Sequence, residues 1–114
     1  MNSTDIRPFI QVSDLKISTA FYEALGFSGE YAHKELVLLS NDHCAFFLYS
    51  HDKPCTESNC MFQLVVSDIE KSLAVIENLH DFNFKYEPIR QERWGRVIYL
   101  WGLDGEMWHI TELL

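Results

Sequence analysis

The side chains able to hold a metal, attack a carbonyl or carry a proton are scattered along this chain of 114 residues. Five are histidines: His33, His43, His51, His80 and His109. The first three stand 10 and 8 positions apart, spacings that match no ligand motif, in stretches that read as turns or edges. Cys55 and Cys60 form a C-x4-C with no second Cys/His pair at zinc-finger distance, so these two and Cys44 are expected as free thiols. There is no G-x-S-x-G, no glycine-rich phosphate loop and no Ser/His/Asp pattern with recognisable context, and no catalytic residue is assigned. Arg90, Arg93 and Arg96 bracket Trp94; the cluster reads as a solvated loop face before it reads as an anion clamp.

The net charge of −8 argues against a nucleic-acid partner, because phosphate binding requires a basic face. It favours solubility and suits a cationic ligand. A hydrophobic fraction of 47% is ample for a packed interior. No apolar run approaches the roughly 20 residues of a membrane helix, and MNSTDIRPF lacks signal-peptide features. No membrane partner and a cytoplasmic location are expected.

The elements that position these groups follow from a repetition. VSDLKIS at 12–18 returns as VSDIEKS at 66–72, and Val12/Val66, Ser13/Ser67, Asp14/Asp68, Leu15/Ile69, Ser18/Ser72, Ala20/Ala74, Glu23/Glu77 and Leu25/Leu79 all match at one offset. In the first copy, Asp5–Val12 reads as a strand and Ser13 as a helix N-cap. Ile17, Phe21, Ala24 and Leu25 read as the apolar face, and Gly26 as the helix stop. In the second, Met61–Val66 reads as a strand and Ser67 with Glu70 as a capping box. Ile69, Leu73, Ile76 and Leu79 make the apolar face, ended by His80 and Asp81.

Three strands follow each helix: Gly29–His33, Glu35–Ser40 and Cys44–Ser50, then Asn83–Glu87, Arg96–Gly102 and Glu106–Leu113. Asn41-Asp42 and Asp104-Gly105 mark the hairpins, and 51–59 is the link. The fold class is α+β: two βαβββ repeats, about 5–50 and 60–113, in one domain. Neither half has surface enough to bury its sheet face alone.

With the motif assembled, the chain resembles the vicinal-oxygen-chelate superfamily, which includes glyoxalase I, bleomycin-resistance proteins and extradiol dioxygenases. The resemblance spans essentially the whole length and rests on VSDL…FYEALGF (12–27) and WGRVIYLWGLDGEMWHITEL (94–113). Leu103 stands where the family's D-P-D-G turn has proline. The resemblance implies a curved mixed sheet around a cavity, with two subunits pairing to complete the sites.

It also implies four metal-ligand positions, filled in the metalloenzymes by His, Glu or Gln. Here they fall on Arg7, Phe47 (or Phe46), Met61 and His109. A divalent ion requires several N or O donors converging at about 2.0–2.2 Å, and a guanidinium repels a cation. No metal and no cofactor are therefore expected.

The same positions still line the implied cavity, and alternation along their strands adds Gln11, Tyr49 and Gln63. Trp94, Tyr99, Trp101 and Trp108 fall near its mouth, although Trp108 and His109 must point to opposite faces. Each of these residues also has a plain packing role open to it. The ligand-binding set expected is Arg7, Phe47, Tyr49, Met61, Gln63, Trp94, Tyr99 and His109. The function that follows is metal-independent binding of an aromatic or amphipathic small molecule by a homodimer resembling bleomycin-resistance proteins. The alternatives are a metal-dependent glyoxalase-like lyase, isomerase or dioxygenase with an unusual ligand set, and a protein–protein module whose cavity is filled.

Overall fold

The computed structural model describes residues 1–50 and 60–114. The link at 51–59, with His51 and Cys55, lies outside the described residues. The chain divides into two compact units, Met1–Thr56 and Glu57–Leu114.

The first unit runs β1 (Phe9–Val12), α1 (Leu15–Leu25), β2 (Ser28–His33), β3 (Leu36–Asn41) and β4 (Cys44–Ser50). Its sheet has the order β1-β4-β3-β2, with β1 parallel to β4 and the other pairs antiparallel. The expected strand from Asp5 is shorter. Regular pairing begins at Phe9, since Pro8 has no N–H to donate and contributes only its carbonyl, to Phe47 N–H (2.9 Å).

The second unit runs β5 (Met61–Val65), α2 (Ile69–Glu77), β6 (Lys85–Tyr86), β7 (Arg90–Glu92), β8 (Gly95–Trp101) and β9 (Met107–Leu113). Its sheet order is β5-β9-β8-β6, with β7 also on β8 and β5 parallel to β9. Each unit thus places its first strand parallel to its last, the same plan twice. Strand β7 was not expected; its three residues lie in the stretch read as a solvated arginine loop.

The repeated tripeptide has one job in both copies, and it belongs to aspartate. Asp14 and Asp68 are extended residues at the helix N-caps. The Asp14 carboxylate accepts from Ile17 N–H (3.0 Å), and that of Asp68 from Glu70 and Lys71 N–H (3.1 and 3.2 Å). The expected Ser13 cap and Ser67–Glu70 box are therefore displaced by one residue. Aspartate caps as well as serine and adds charge where the helix dipole favours it.

Helix α1 ends as expected at Gly26, whose φ of 119° favours glycine. Of its expected face, Phe21 is buried and Leu25 half-buried, whereas Ala24 is exposed. Leu15, Ser18, Thr19, Phe21 and Tyr22 face the sheet, while Ile17 is 50% exposed. Small Ser18 and Thr19 let the helix lie close to the strands, which a count of apolar positions misses. Helix α2 buries Ile69 and Ile76 as expected and stops at Glu77.

Under α1 pack Ile10, Val12, Val37, Leu39, Phe46 and Leu48, all nearly inaccessible to water. Tyr22, Phe27 and Phe46 meet edge to face with centroids 5.2–6.3 Å apart. Each such side chain contributes about 1.5–3 kcal/mol by its burial. Under α2 lie Ile98, Leu100 and Ile110. Gly95 (φ 153°) is required by the strand crossing, since a Cβ there would collide with the Glu112 carbonyl.

Candidate functional site

Because one face of each sheet is covered by a helix, the chemistry must sit on the other. In the first unit, alternation puts Phe9, Gln11, Leu36, Leu38, Phe47 and Tyr49 on that open face. The parallel register sets Phe9 opposite Phe47 and Gln11 opposite Tyr49. The Phe9 and Phe47 rings stack at 4.6 Å and 24°, and Tyr49 approaches Phe9 edge-on at 6.3 Å. Phe9 remains 56% exposed. Beside it opens a cavity of about 490 Å³ lined by Phe9, His33, Glu35, Leu36, Tyr49 and Ser50.

In the second unit the face turned away from α2 carries three rungs across β5, β9 and β8: Met61–Met107–Trp101, Gln63–His109–Tyr99 and Val65–Thr111–Val97, with Thr111 and Val97 fully buried. The middle rung is polar. Tyr99 meets His109 edge to face at 4.8 Å, and its hydroxyl donates to Glu92 Oε1 at 3.3 Å. Burial, reinforced by the Glu92 carboxylate, pushes the Tyr99 phenol above its ordinary pKa. Arg90 sits 3.7 Å from Glu92 and 3.9 Å from Glu87, with its guanidinium 5.8 Å from the Tyr99 ring. His109 Nε2 is shielded from water and has no hydrogen-bond partner among the described residues.

The eight expected ligand residues therefore divide. Phe47 and Tyr49 share one aromatic surface; Gln63, Tyr99 and His109 share one rung, with Met61 a step away and 61% exposed. Trp94 stands in the turn between β7 and β8, 45% exposed. Arg7 precedes β1 and is exposed, with its Nε 3.0 Å from Asp5. The carboxylate that the guanidinium requires is thus its own neighbour. Trp108 is buried on the helix side, as its opposition to His109 requires.

Sequence reasoning missed Phe9, which both stacks on Phe47 and lines the cavity. The signal was available, because Phe9 shares the period-two face of Arg7 and Gln11. His33, Glu35, Leu36 and Ser50 carried no such mark. They reach the cavity through the β2–β3 turn and the strand ends.

The residues at the four implied ligand positions do not fit a metal. Of the four positions, Arg7 presents a paired guanidinium, Phe47 a stacked ring, Met61 a thioether and His109 one imidazole. Among the described residues no group of three or more His, Cys, Asp or Glu is placed to hold an ion. No helix of the described residues is long and apolar enough to cross a membrane.

This architecture, a strand, a helix and then a run of strands made twice, is a fold shared with solved bleomycin-binding and fosfomycin resistance proteins. Its counterparts among solved structures include a bleomycin-binding protein complexed with bleomycin. That structure aligns over 98% of this chain and 100% of its own, with a TM-score of 0.80 and 16% identity. The bleomycin-binding protein of Streptomyces verticillus, complexed with copper(II)-bleomycin, covers 98% of both chains (TM-score 0.81, 13% identity). The fosfomycin resistance protein FosX of Listeria monocytogenes, complexed with Mn(II) and sulfate, covers 100% of this chain and 93% of its own (0.78, 16%). At these identities the likeness is one of fold. No family model matches the chain, and no curated protein matches it in sequence.

Proposed function

We propose that the protein is a metal-independent small-molecule-binding protein that takes a flat aromatic or amphipathic ligand on its open aromatic face. The reading is in keeping with the bleomycin-binding proteins that share the fold. The carrying observation is the Phe9–Phe47 stack beside Tyr49, at the wall of a cavity of about 490 Å³. Rings half-open to water are poor core and good ligand platforms, because they offer apolar area already held in place. The polar rung Gln63–His109–Tyr99 supplies hydrogen-bonding groups on the second unit's face. The protein acts as a cytoplasmic homodimer built from one two-repeat domain per chain, and contributes no metal-centred chemistry of its own.

The test is a titration of the purified protein with planar tricyclic dyes and amphipathic drugs, followed by calorimetry, with size-exclusion chromatography at micromolar concentration. Micromolar binding by a dimer of metal-free protein is expected. Absence of binding across the panel removes the platform, and a clean monomer removes the paired arrangement. The Streptomyces verticillus protein is complexed with copper(II)-bleomycin, and a ligand that brings its own metal is compatible with this set of residues.

A further inference from the structure

We propose that Glu35 makes the cavity of the first unit selective for planar aromatic cations. This rests on that cavity being a small-molecule site, and adds to it the charge class of the ligand. Phe9, Leu36 and Tyr49 form apolar walls, Ser50 adds a hydroxyl, and the two remaining lining residues are His33 and Glu35. Among the described residues no lysine or arginine lines the cavity.

Glu35 is the lining carboxylate, and among the described residues it forms no ion pair; the five bridges there involve Asp5, Glu70, Glu87, Glu92 and Glu112. Arg7, two positions from Phe9, is already held by Asp5. Lys34 lies between His33 and Glu35 in sequence but does not line the cavity. The Glu35 N–H donates to His33 Nδ1 at 3.4 Å, a bond local to the turn that carries both lining residues.

Two fields therefore add. Aromatic faces present the negative lobe of their quadrupole, which attracts a cation over Phe9 or Tyr49. The Glu35 carboxylate beside them, exposed and without an ion pair among the described residues, adds a negative charge, and the chain's net charge of −8 raises the local concentration of cations. A planar cation meets both fields with one group. A neutral isostere meets only the stacking, and an anion is repelled.

The experiment compares three planar tricycles of one shape at pH 7.5: 9-aminoacridine (cation), acridine (neutral) and acridine-9-carboxylate (anion). Each is titrated calorimetrically at low and high salt. The cation is expected to bind about tenfold tighter than acridine, and the anion weaker than both. Added salt should shrink the gap. In Glu35→Gln the cation-to-neutral ratio should fall toward one. Equal affinity of all three tricycles overturns the selectivity while leaving the aromatic platform standing. So does an unchanged ratio in Glu35→Gln. Failure of every tricycle to bind overturns the platform itself, and the selectivity with it.

Discussion

Phe9 and Phe47 sit opposite one another on parallel strands, their rings 4.6 Å apart and 24° from coplanar. Neither ring belongs to the layer beneath α1. Removing one should therefore act on binding more than on folding. Phe47→Ala is expected to weaken an aromatic ligand roughly two- to tenfold, the worth of one aromatic pair. The cost in stability should stay below the roughly 3–5 kcal/mol of a fully buried phenylalanine such as Phe21. Calorimetry and a urea melt on the two variants, Phe47→Ala and Phe21→Ala, separate the effects. A Phe47 variant as unstable as the Phe21 one would make that ring core.

The equivalence of Asp14 and Asp68 predicts matching penalties. Asp14→Ala and Asp68→Ala should each cost about 1 kcal/mol, whereas Ser13→Ala and Ser67→Ala should cost only a few tenths. Chemical denaturation of the four variants decides which residue of the repeated motif is the cap.

Glu112 ties β9 to β8 and to the start of α2. Its Oε1 accepts from Arg96 (2.7 Å) and its Oε2 from Ile69 N–H (2.9 Å), while Arg96 also reaches Glu70 at 2.9 Å. The Arg96 guanidinium first, and the Ile69 N–H second, hold the Glu112 carboxyl below the ordinary 4.5. A lowered folded-state pKa means the unfolded chain binds the proton more readily. The resulting stability is present above pH 4.5 and is lost as pH falls through the lowered folded value. Urea midpoints measured from pH 7 to pH 3 should show that decline, and Glu112→Gln should flatten it. An acid limb identical in the variant would assign the decline to other carboxylates.

The mismatch between donors and metal predicts that EDTA leaves the melting temperature unchanged. His109→Ala should likewise leave the metal content of purified protein unaltered near zero. Elemental analysis checks both. A stoichiometric ion whose removal lowers stability would return the protein to the metal-dependent alternative.

The fold was legible because its signals are local and made twice. The V-S-D motif starts each helix, glycine stops the first, and Asn41-Asp42 and Asp104-Gly105 turn the last hairpins. What escaped needed register or packing. Strand β7 is three residues long, too short to show alternation. The buried face of α1 hinges on Ser18 and Thr19, whose value lies in being small against the sheet. Arg7 read as a strand position, although Pro8 after it, with no N–H to donate, already favours a start of regular pairing at Phe9. Four of the six residues lining the cavity come from the turn and the strand ends, which no periodicity marks.

The order of the second sheet has a consequence for synthesis. Strand β9, the last of its unit to be made, lies between β5 and β8 rather than at a border. When a ribosome has released the chain only as far as Gly105, those two flanking segments exist with nothing to join them. The unit can then hold a helix and loose ribbons but no continuous sheet, so its folding must wait for the final stretch to emerge.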